Sequence, residues 1–565
     1  LVNNSALISK IKVIAIIIFL IVVIIPSTTA IVKNDNFYLK NTSLISPFEI
    51  TIREKNHRDF YDYNGDSWTL NPTDDTYIEK IFPDENYGSQ NSIKIGRNGN
   101  GYLEEDSLLR FDISSIPQET EIYAKLYLYY YDFDEEPNDR EYSIYRVTND
   151  WDENNVTWNT QPSFISIPTD TLLVPDIPEV WLEFDVTEDV RNFINGEFTN
   201  FGWIISDDDD YFPDGQREAR IFSKENEEFI PFLFVKEPET IYVDDDNENG
   251  PWEGTIENPF KKIQDGIDNC FSGDTVYVFN GLYIESVVIY EEHVNLFGEN
   301  KEDTKVLNEE KSYGILVRNR YYDIKISGFT VETKFDNENG FAGIATDIFS
   351  YDNIIEGNIL LNNPAGIVIW GSDYNNIKNN TIQKNNGINL KGGCNNNIIS
   401  GNKISDVNNG LILEDKSSYN LIKNNNISST DNGIKLTGNS TNNNIFENFI
   451  SNAENGILLD TTLKNNIINN NIINSNDNGI YIKNKNHNIS IFENIIMENK
   501  NGILLDSNIY GNIDRNTIYN NNCGIHCSGG GNANKVNIFQ NNISNNKNSG
   551  GIFLDRAINC EIFTN

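Results

Sequence analysis

The sequence predicts an all-β protein in two parts, an antiparallel β-sandwich of jelly-roll type and then a right-handed parallel β-helix of about 12 coils. Three observations carry that expectation. A Gly followed by Ile or Leu recurs at Gly343, Gly366, Gly387, Gly410, Gly433, Gly456, Gly479, Gly502, Gly524 and Gly551, at intervals of 23, 21, 23, 23, 23, 23, 23, 22 and 27 residues. Each period holds three short apolar pulses separated by Asn, Gly and Ser, which leaves no room for a helix of ordinary length. The first half shows no such period; short runs there alternate apolar and polar residues between turn signals, the pattern of an antiparallel sandwich.

Composition limits what such a chain does. At 565 residues it exceeds a usual domain several-fold. The 84 Asp+Glu against 43 Lys+Arg give a net charge of -41, which excludes nucleic acid and anionic membrane surfaces as partners, because both need clustered cations. Apolar residues at 38% and aromatic residues at 12% are too many for a disordered acidic chain. Five cysteines in this length make no disulfide framework, and one Met with four His argues against a Met/His copper or haem protein.

Along the chain, residues 1–30 have the form of a signal peptide: Lys10 and Lys12, an apolar run over 13–25, then Pro26, Ser27, Thr28, Thr29 and Ala30. A retained anchor is the alternative, but a spanning helix needs about 20 apolar residues. Export then makes Asn41, Asn155, Asn426 and Asn542 glycan acceptors by their Asn-x-Ser/Thr triplets. Residues 31–72 form a lead-in segment, 73–236 the sandwich, 237–256 an acidic hinge and 257–565 the β-helix. The chain stops at Asn565 in mid-repeat, so either it is truncated or something else covers that end.

Within the sandwich, 107–112 and 125–131 are strands, and 186–195 is a helix with a capping box from Asp185 and Glu188 and an end at Gly196. Period two places Leu126, Leu128 and Tyr130 on one face of the second strand. Lys125, Tyr127, Tyr129 and Tyr131 fall on the other, where three aromatics in a row suit sugar stacking or else pack beneath a loop or second sheet. Trp151 and Trp158 are expected in the core. Arg110 and Asp112 share a face at ion-pair spacing.

In the β-helix, positions one and three after each Gly point inward and are Ile or Leu, as in Ile434 and Leu436, Ile457 and Leu459, Ile503 and Leu505. The residue before the Gly is Asn at 386, 409, 432, 455, 478 and 501. An Asn-Gly pair tolerates the left-handed backbone of a sharp corner, and stacked Asn side chains can bond up the column. Leucine-rich repeats share the period, but their Leu-x-x-Leu-x-Leu pattern is missing. Phe260, Ile263, Ile267 and Cys270 make a helical stripe, so 259–270 is expected to cap the first coil against exposed core and strand edges.

Four features bear on chemistry. Asp245, Asn247 and Asn249 before Gly250 match the start of a calcium loop, although Ile256 stands where the closing Glu belongs and Glu257 comes one late. Asp207 to Asp210 with Asp214 is a second calcium candidate. The position four after each Gly makes a charged column of Lys391, Glu414, Thr437, Asp460, Lys483 and Asp506, in which neighbours pair. Its alternative is an acid pair, Asp460 with Asp506, at about the spacing of an inverting glycosidase but with Lys483 between them. In the run Cys523 to Cys527, Cys527 takes an inward Leu position, Cys523 takes a position of the Asn column and His526 stands alone, so core packing is preferred to zinc.

Two resemblances sharpen the expectation. Asp75-Thr-Tyr-Ile, Asn86-Tyr-Gly, Leu109-Arg-Phe-Asp-Ile-Ser, Val156-Thr-Trp-Asn-Thr-Gln-Pro and Phe184-Asp-Val-Thr resemble the DNRLRE (disaggregatase-related) domain over most of 73–236. That resemblance implies a jelly-roll-like carbohydrate-binding module. The stretch from Asp244 through Asn249-Gly-Pro-Trp-Glu-Gly-Thr to Phe260, with Gly273-Asp-Thr-Val-Tyr-Val, resembles the secreted β-helix proteins of the pectate-lyase-like and NosD-like (CASH) class over roughly 240–565. It implies contact with extracellular polysaccharide, in a class that holds lyases, hydrolases, binders and inert stalks. The sequence therefore points to a secreted or cell-surface carbohydrate-binding protein with polysaccharide as partner and calcium as the one implied cofactor. A polysaccharide lyase or glycoside hydrolase working in the β-helix groove, and a structural stalk, remain as alternatives. No membrane insertion is expected once the signal is removed.

Overall fold

The computed structural model describes residues 29–33, 36–40 and 67–563, apart from 99–102, 119, 135–139, 176, 209–215, 310–311, 335–341, 385, 462, 485, 507–508, 529–534, 549 and 556–559. The apolar run 13–25 and most of the lead-in segment fall outside the described residues. Among the described residues no helix is long and apolar enough to cross a membrane. Two compact units divide the chain, one of them Thr51–Glu239 and the other containing Thr240–Asn565.

In the first unit, hydrogen bonds join eleven strands into one antiparallel sheet wrapped around a common core. Its longest strand, Tyr123–Asp134, holds the sheet together by pairing with three others: Phe232–Lys236 along residues 123–127, Val180–Asp185 along 125–130, and Gln216–Phe222 along 130–134. Leu126, Leu128 and Tyr130 point into the core, as period two predicts, beside Phe111, Phe184 and Trp203. Trp151 is also buried, in a smaller cluster with Val147 and Val156, and its Nε1 donates to the Phe201 carbonyl at 2.8 Å. Trp158 is half-buried at the edge of that cluster.

Two local expectations are corrected. The helix spans Thr187–Ile194 and ends at Gly196 (φ +76°), but Asp185 and Glu188 form no capping box. Asp185 Oδ1 instead accepts the Thr187 N–H at 2.8 Å, and Val186 takes the cap position. Arg110 does not pair with Asp112. Its guanidinium reaches Asp74 at 2.9 Å and Asp150 at 2.7 Å, while Asp112 Oδ1 accepts the Ser114 N–H in a tight turn.

The second unit is a right-handed parallel β-helix with three strand ladders. The first ladder starts at Thr240–Val243 and continues through Thr275–Val278 and Asn295–Gly298 to Glu561–Phe563. The second runs from Gly281–Tyr283 to Asn542–Ser544. The third runs from Val287–Ile289 to Gly550–Asp555 in eleven coil-to-coil steps, close to the expected coil number. Each ladder sends one Ile/Leu column inward, for example Ile422, Ile445 and Ile468, then Ile427, Ile450 and Ile473, then Ile434, Ile457 and Ile480, all fully buried. A coil thus buries its apolar pulses only against the coils above and below, which is why the sequence repeats.

The start of the solenoid differs from expectation in two ways. Residues 240–243 lie inside the stretch expected as an acidic hinge, yet they form the first rung, because Ile241 and Val243 can stack on Val276 and Val278. The cap helix is only Ile263–Asp268, since Phe260 stays extended and bonds the strand through its N–H to Tyr242 O and its carbonyl from Asp244 N. Both Glu285 carboxylate oxygens take its free amides, from Ile263 at 2.9 Å and Gln264 at 3.0 Å. Ile263, Ile267 and Cys270 close the apolar end as expected.

The corners also correct the sequence reading. The repeating glycines are not left-handed. They are required because a Cβ would strike the next coil: at Gly433 it would lie 2.5 Å from the Gly456 carbonyl oxygen and 2.5 Å from Ile450 Cγ2. Left-handed residues occur elsewhere, many of them just before a buried Asn. Asn424, Glu447, Asn470 and Glu493 precede Asn425, Asn448, Asn471 and Asn494, and Tyr419, Asn442 and Asn465 precede Asn420, Asn443 and Asn466. Apart from Asn466, each of these Asn residues sends its backbone N–H and side-chain Nδ2 to the Oδ1 of the next Asn, as Asn448 does to Asn471 at 3.0 Å and 3.0 Å. The expected column beside the glycines is present as well, with side-chain bonds from Asn432 to Asn409 at 2.8 Å and from Asn455 to Asn432 at 3.0 Å.

Candidate functional site

On the outer face of the first unit, the long strand carries Tyr127, Tyr129 and Tyr131 side by side, as its alternation predicts. Cross-strand register brings more rings to the same face: Trp181 lies opposite Tyr129 on one neighbour, and Phe232 lies opposite Tyr127 on the other. Phe222 stacks on Tyr131 at 4.0 Å, and Phe229, from the loop that follows, stacks on Tyr129 at 4.1 Å. Trp181 meets Tyr129 and Phe232 edge-on at 5.1 Å each.

Stacking decides which of the three tyrosines remains available. Tyr127 lies against Phe232 at 4.7 Å with Trp181 beside it, and only 4% of it is exposed. It supports the face from beneath and cannot meet a sugar, which corrects the expectation for that residue. Tyr129 and Tyr131 are half-buried, with Trp181, Phe222 and Phe229. Charged pairs bound the face at both ends, Lys125 with Glu183 at 3.4 Å and Arg220 with Asp132 at 2.8 Å. The result is an apolar platform with ionic ends, able to take the C–H face of a pyranose on its rings and the hydroxyls on its rim. Trp181, Phe222 and Phe229 were missed in the sequence. Alternation in Val180–Asp185 hints at Trp181, but nothing local says which strand it pairs with.

Side chains of both calcium candidates are already engaged by other groups. Asp245 Oδ2 accepts the Leu282 N–H at 3.0 Å, and the Asn247 amide donates to the Pro251 and Pro259 carbonyls at 3.1 and 2.7 Å. Asn249 is exposed. Asp207 is held in a buried bidentate pair with Arg140 at 2.5 and 2.7 Å. Asp209, Asp210 and Asp214 lie outside the described residues.

On the β-helix, Asp460, Lys483 and Asp506 occupy successive coils of the third ladder. Lys483 Nζ binds Asp460 at 3.1 Å, the Asn484 amide donates to the same carboxylate at 2.5 Å, and Tyr481 OH approaches Asp506 at 3.5 Å. The column is therefore a charge-paired ladder with an ammonium where an attacking water would stand. Cys523 and Cys527 are buried in the core, as expected. An open groove of about 840 Å³ runs along another corner, lined by Asp477, Glu498, Lys500 and Lys547 among Asn side chains. At a further corner Phe349, Tyr351, Tyr374 and Tyr419 are exposed, with Tyr351 stacked on Tyr322 at 4.6 Å.

Comparison with known proteins divides the chain in the same way. Residues 66–237 match Carbohydrate-binding module family 96. Residues 263–457 match the Periplasmic copper-binding protein (NosD) family, and 416–565 match the Right handed beta helix region. No curated protein matches the chain. Solved structures similar to it include the catalytic unit of a thermostable GH87 alpha-1,3-glucanase from Streptomyces thermodiastaticus, at 11% identity over 88% of this chain and 98% of that one, with a TM-score of 0.40. The Agl-KA catalytic domain gives 11% identity over the same 88% and 98%, with a TM-score of 0.39. The A-module of the Azotobacter vinelandii mannuronan C-5 epimerase AlgE6 gives 13% identity over 57% of this chain and all of that one, with a TM-score of 0.35. The chain therefore joins a stretch similar to a carbohydrate-binding module to stretches similar to the NosD family and to the right handed beta helix region.

Proposed function

We propose that this protein is an exported or cell-surface carbohydrate-binding protein, which takes polysaccharide on the aromatic face of its antiparallel unit and uses the β-helix as a platform. One observation carries the reading: the stretch similar to a carbohydrate-binding module is the stretch that presents Trp181, Tyr129, Tyr131, Phe222 and Phe229 together on one face. Five adjacent rings on a rigid sheet recognise a sugar at low entropic cost, because their positions are fixed before the ligand arrives. A second reading, a lyase or hydrolase, is favoured by the polar groove that holds Asp477 and Glu498 on the β-helix.

Size-exclusion chromatography of the chain with neutral and uronate polysaccharides separates the two. Co-elution with intact polymer supports binding. A glycan peak that moves to lower mass over hours identifies an enzyme. A chain that leaves every polymer unshifted and uncut removes both readings and leaves the stalk.

A further inference from the structure

We propose that the antiparallel unit holds a calcium ion at a buried carboxylate cluster formed by Asp75, Glu153 and Glu225. The three come from separate segments: Asp75 from the strand Pro72–Glu79, Glu153 from the turn after Trp151, and Glu225 from the turn after Gln216–Phe222. One oxygen of each lies within 4.8 Å of the other two. Asp75 is 1% exposed and Glu153 9%, so these are not solvated surface acids.

The local charge does not balance. Lys224 Nζ meets Glu153 Oε1 at 2.8 Å and Glu225 Oε1 at 2.7 Å, and among the described residues it is the one cation bonded to the cluster. Three carboxylates against one ammonium leave two negative charges over. Asp75 Oδ2 accepts the Lys224 N–H at 2.7 Å and Glu153 Oε1 accepts the Asp75 N–H at 3.0 Å. Asp75 Oδ1 and Glu225 Oε2, however, are buried without any hydrogen-bond donor. A buried carboxylate oxygen with no partner costs free energy that either a proton or a cation removes. Burial, ahead of the neighbouring carboxylates, pushes Asp75 up to about 7, the response of an acid that lacks its counter-ion.

The donor set is all carboxylate oxygen, which suits a hard cation, and its scatter over three loops suits the flexible coordination of calcium better than the strict octahedron of magnesium. The loop that carries Glu153 is fixed in advance. Asn86 Nδ2 clamps the Glu153 and Val156 carbonyls at 2.7 and 2.8 Å, and a Cβ on Gly88 would stand 2.4 Å from the Glu153 oxygen. An ion here would tie the turn 223–229, which supplies Phe229 to the aromatic face, to the edge of the sheet.

The test uses the full chain, stripped with chelator and then titrated with calcium, magnesium or terbium chloride. Five of the seven tryptophans, at 68, 151, 158, 181 and 203, belong to this unit, so tryptophan fluorescence follows its melting. Calcium at a hundredfold excess over its Kd is expected to raise that transition by roughly 5–10 °C. Terbium emission sensitised by the nearby Tyr77 and Tyr87 should appear and be displaced by calcium. Asp75→Asn and Glu225→Gln should abolish both signals, while Asp245→Asn leaves them intact. Glu225→Gln, at a half-exposed position, keeps the test open should Asp75→Asn fail to fold. Wild-type protein whose melting ignores calcium would mean that Lys224 alone balances the cluster, and would overturn the proposal. So would a Glu225→Gln variant that binds calcium as tightly as wild type, or an equal shift with magnesium.

Discussion

Truncating one rung of the buried Asn ladder tests the account of the β-helix most directly. In Asn448→Ala, Nδ2 no longer donates to the Ile422 and Phe446 carbonyls and to Asn471 Oδ1, each at 3.0 Å. Oδ1 no longer accepts the backbone N–H and the side-chain Nδ2 of Asn425, both at 3.0 Å. The Asn425 backbone N–H is then buried with no acceptor, which costs about 1–3 kcal/mol, while its Nδ2 keeps the Ile399 carbonyl at 3.0 Å; the lost bonds with a small cavity bring the total to about 3–5 kcal/mol. Asn432→Ala is the control. That residue is half-buried and makes only one side-chain bond up and one down its column, so water replaces both at about 1 kcal/mol or less. Because coils unfold in a graded way, the assay is amide hydrogen exchange and not a single melting point. Asn448→Ala should lower protection over residues 421–450 by roughly 100-fold or more, since about 1.4 kcal/mol is tenfold. Equal losses in the two variants would refute the argument that buried amides at the corners hold the coils together.

Three further outcomes follow from the same contacts. Gly433→Ala puts a methyl 2.5 Å from the next coil's carbonyl and should cost about 2–4 kcal/mol, whereas Gly196→Ala meets nothing within 4 Å and costs only about 1 kcal/mol for its left-handed φ, as urea titrations of each variant would show. The double variant Trp181→Ala, Tyr129→Ala should weaken polysaccharide retention in affinity electrophoresis by at least tenfold, with far-UV circular dichroism unchanged; undiminished retention would move the binding site elsewhere. Burial raises Asp106 to about 7, with Glu104 and Asp208 adding to the shift and Ser206 and Arg97 opposing it. The folded pKa stands above the unfolded one, so the contribution of this group to stability is fully present below about pH 4 and is lost as pH rises towards about 7. Asp106→Asn should remove that slope and raise stability at pH 8 by about 1–3 kcal/mol, read from urea midpoints across the pH range.

Much of the β-helix was legible in the sequence because each coil touches only its neighbours. The inward column through Ile434, Ile457 and Ile480 repeats with the coil, and a local periodicity is all that is needed to find it. The role of the glycines was not legible. Asn432-Gly433 suggests a turn by composition, yet Gly433 is there because the backbone of Gly456 passes too close for a side chain, and proximity between coils is a property of the stack. Likewise Asn425 and Asn448 look like the other abundant asparagines, and only their burial distinguishes them.

By itself the sequence determined the two-part all-β organisation, the three-pulse coil and the face shared by Tyr127, Tyr129 and Tyr131, since strand alternation and repeat period are written residue by residue. Tertiary structure alone decided that Tyr127 is covered while Trp181, Phe222 and Phe229 join the surface, and that Asp245 holds the Leu282 N–H while Asn247 holds the Pro251 and Pro259 carbonyls. It also brought Asp75, Glu153 and Glu225 together across 150 residues of chain. Antiparallel pairing joins strands distant in sequence, and no local pattern encodes which loops will meet once that sheet has wrapped around its core.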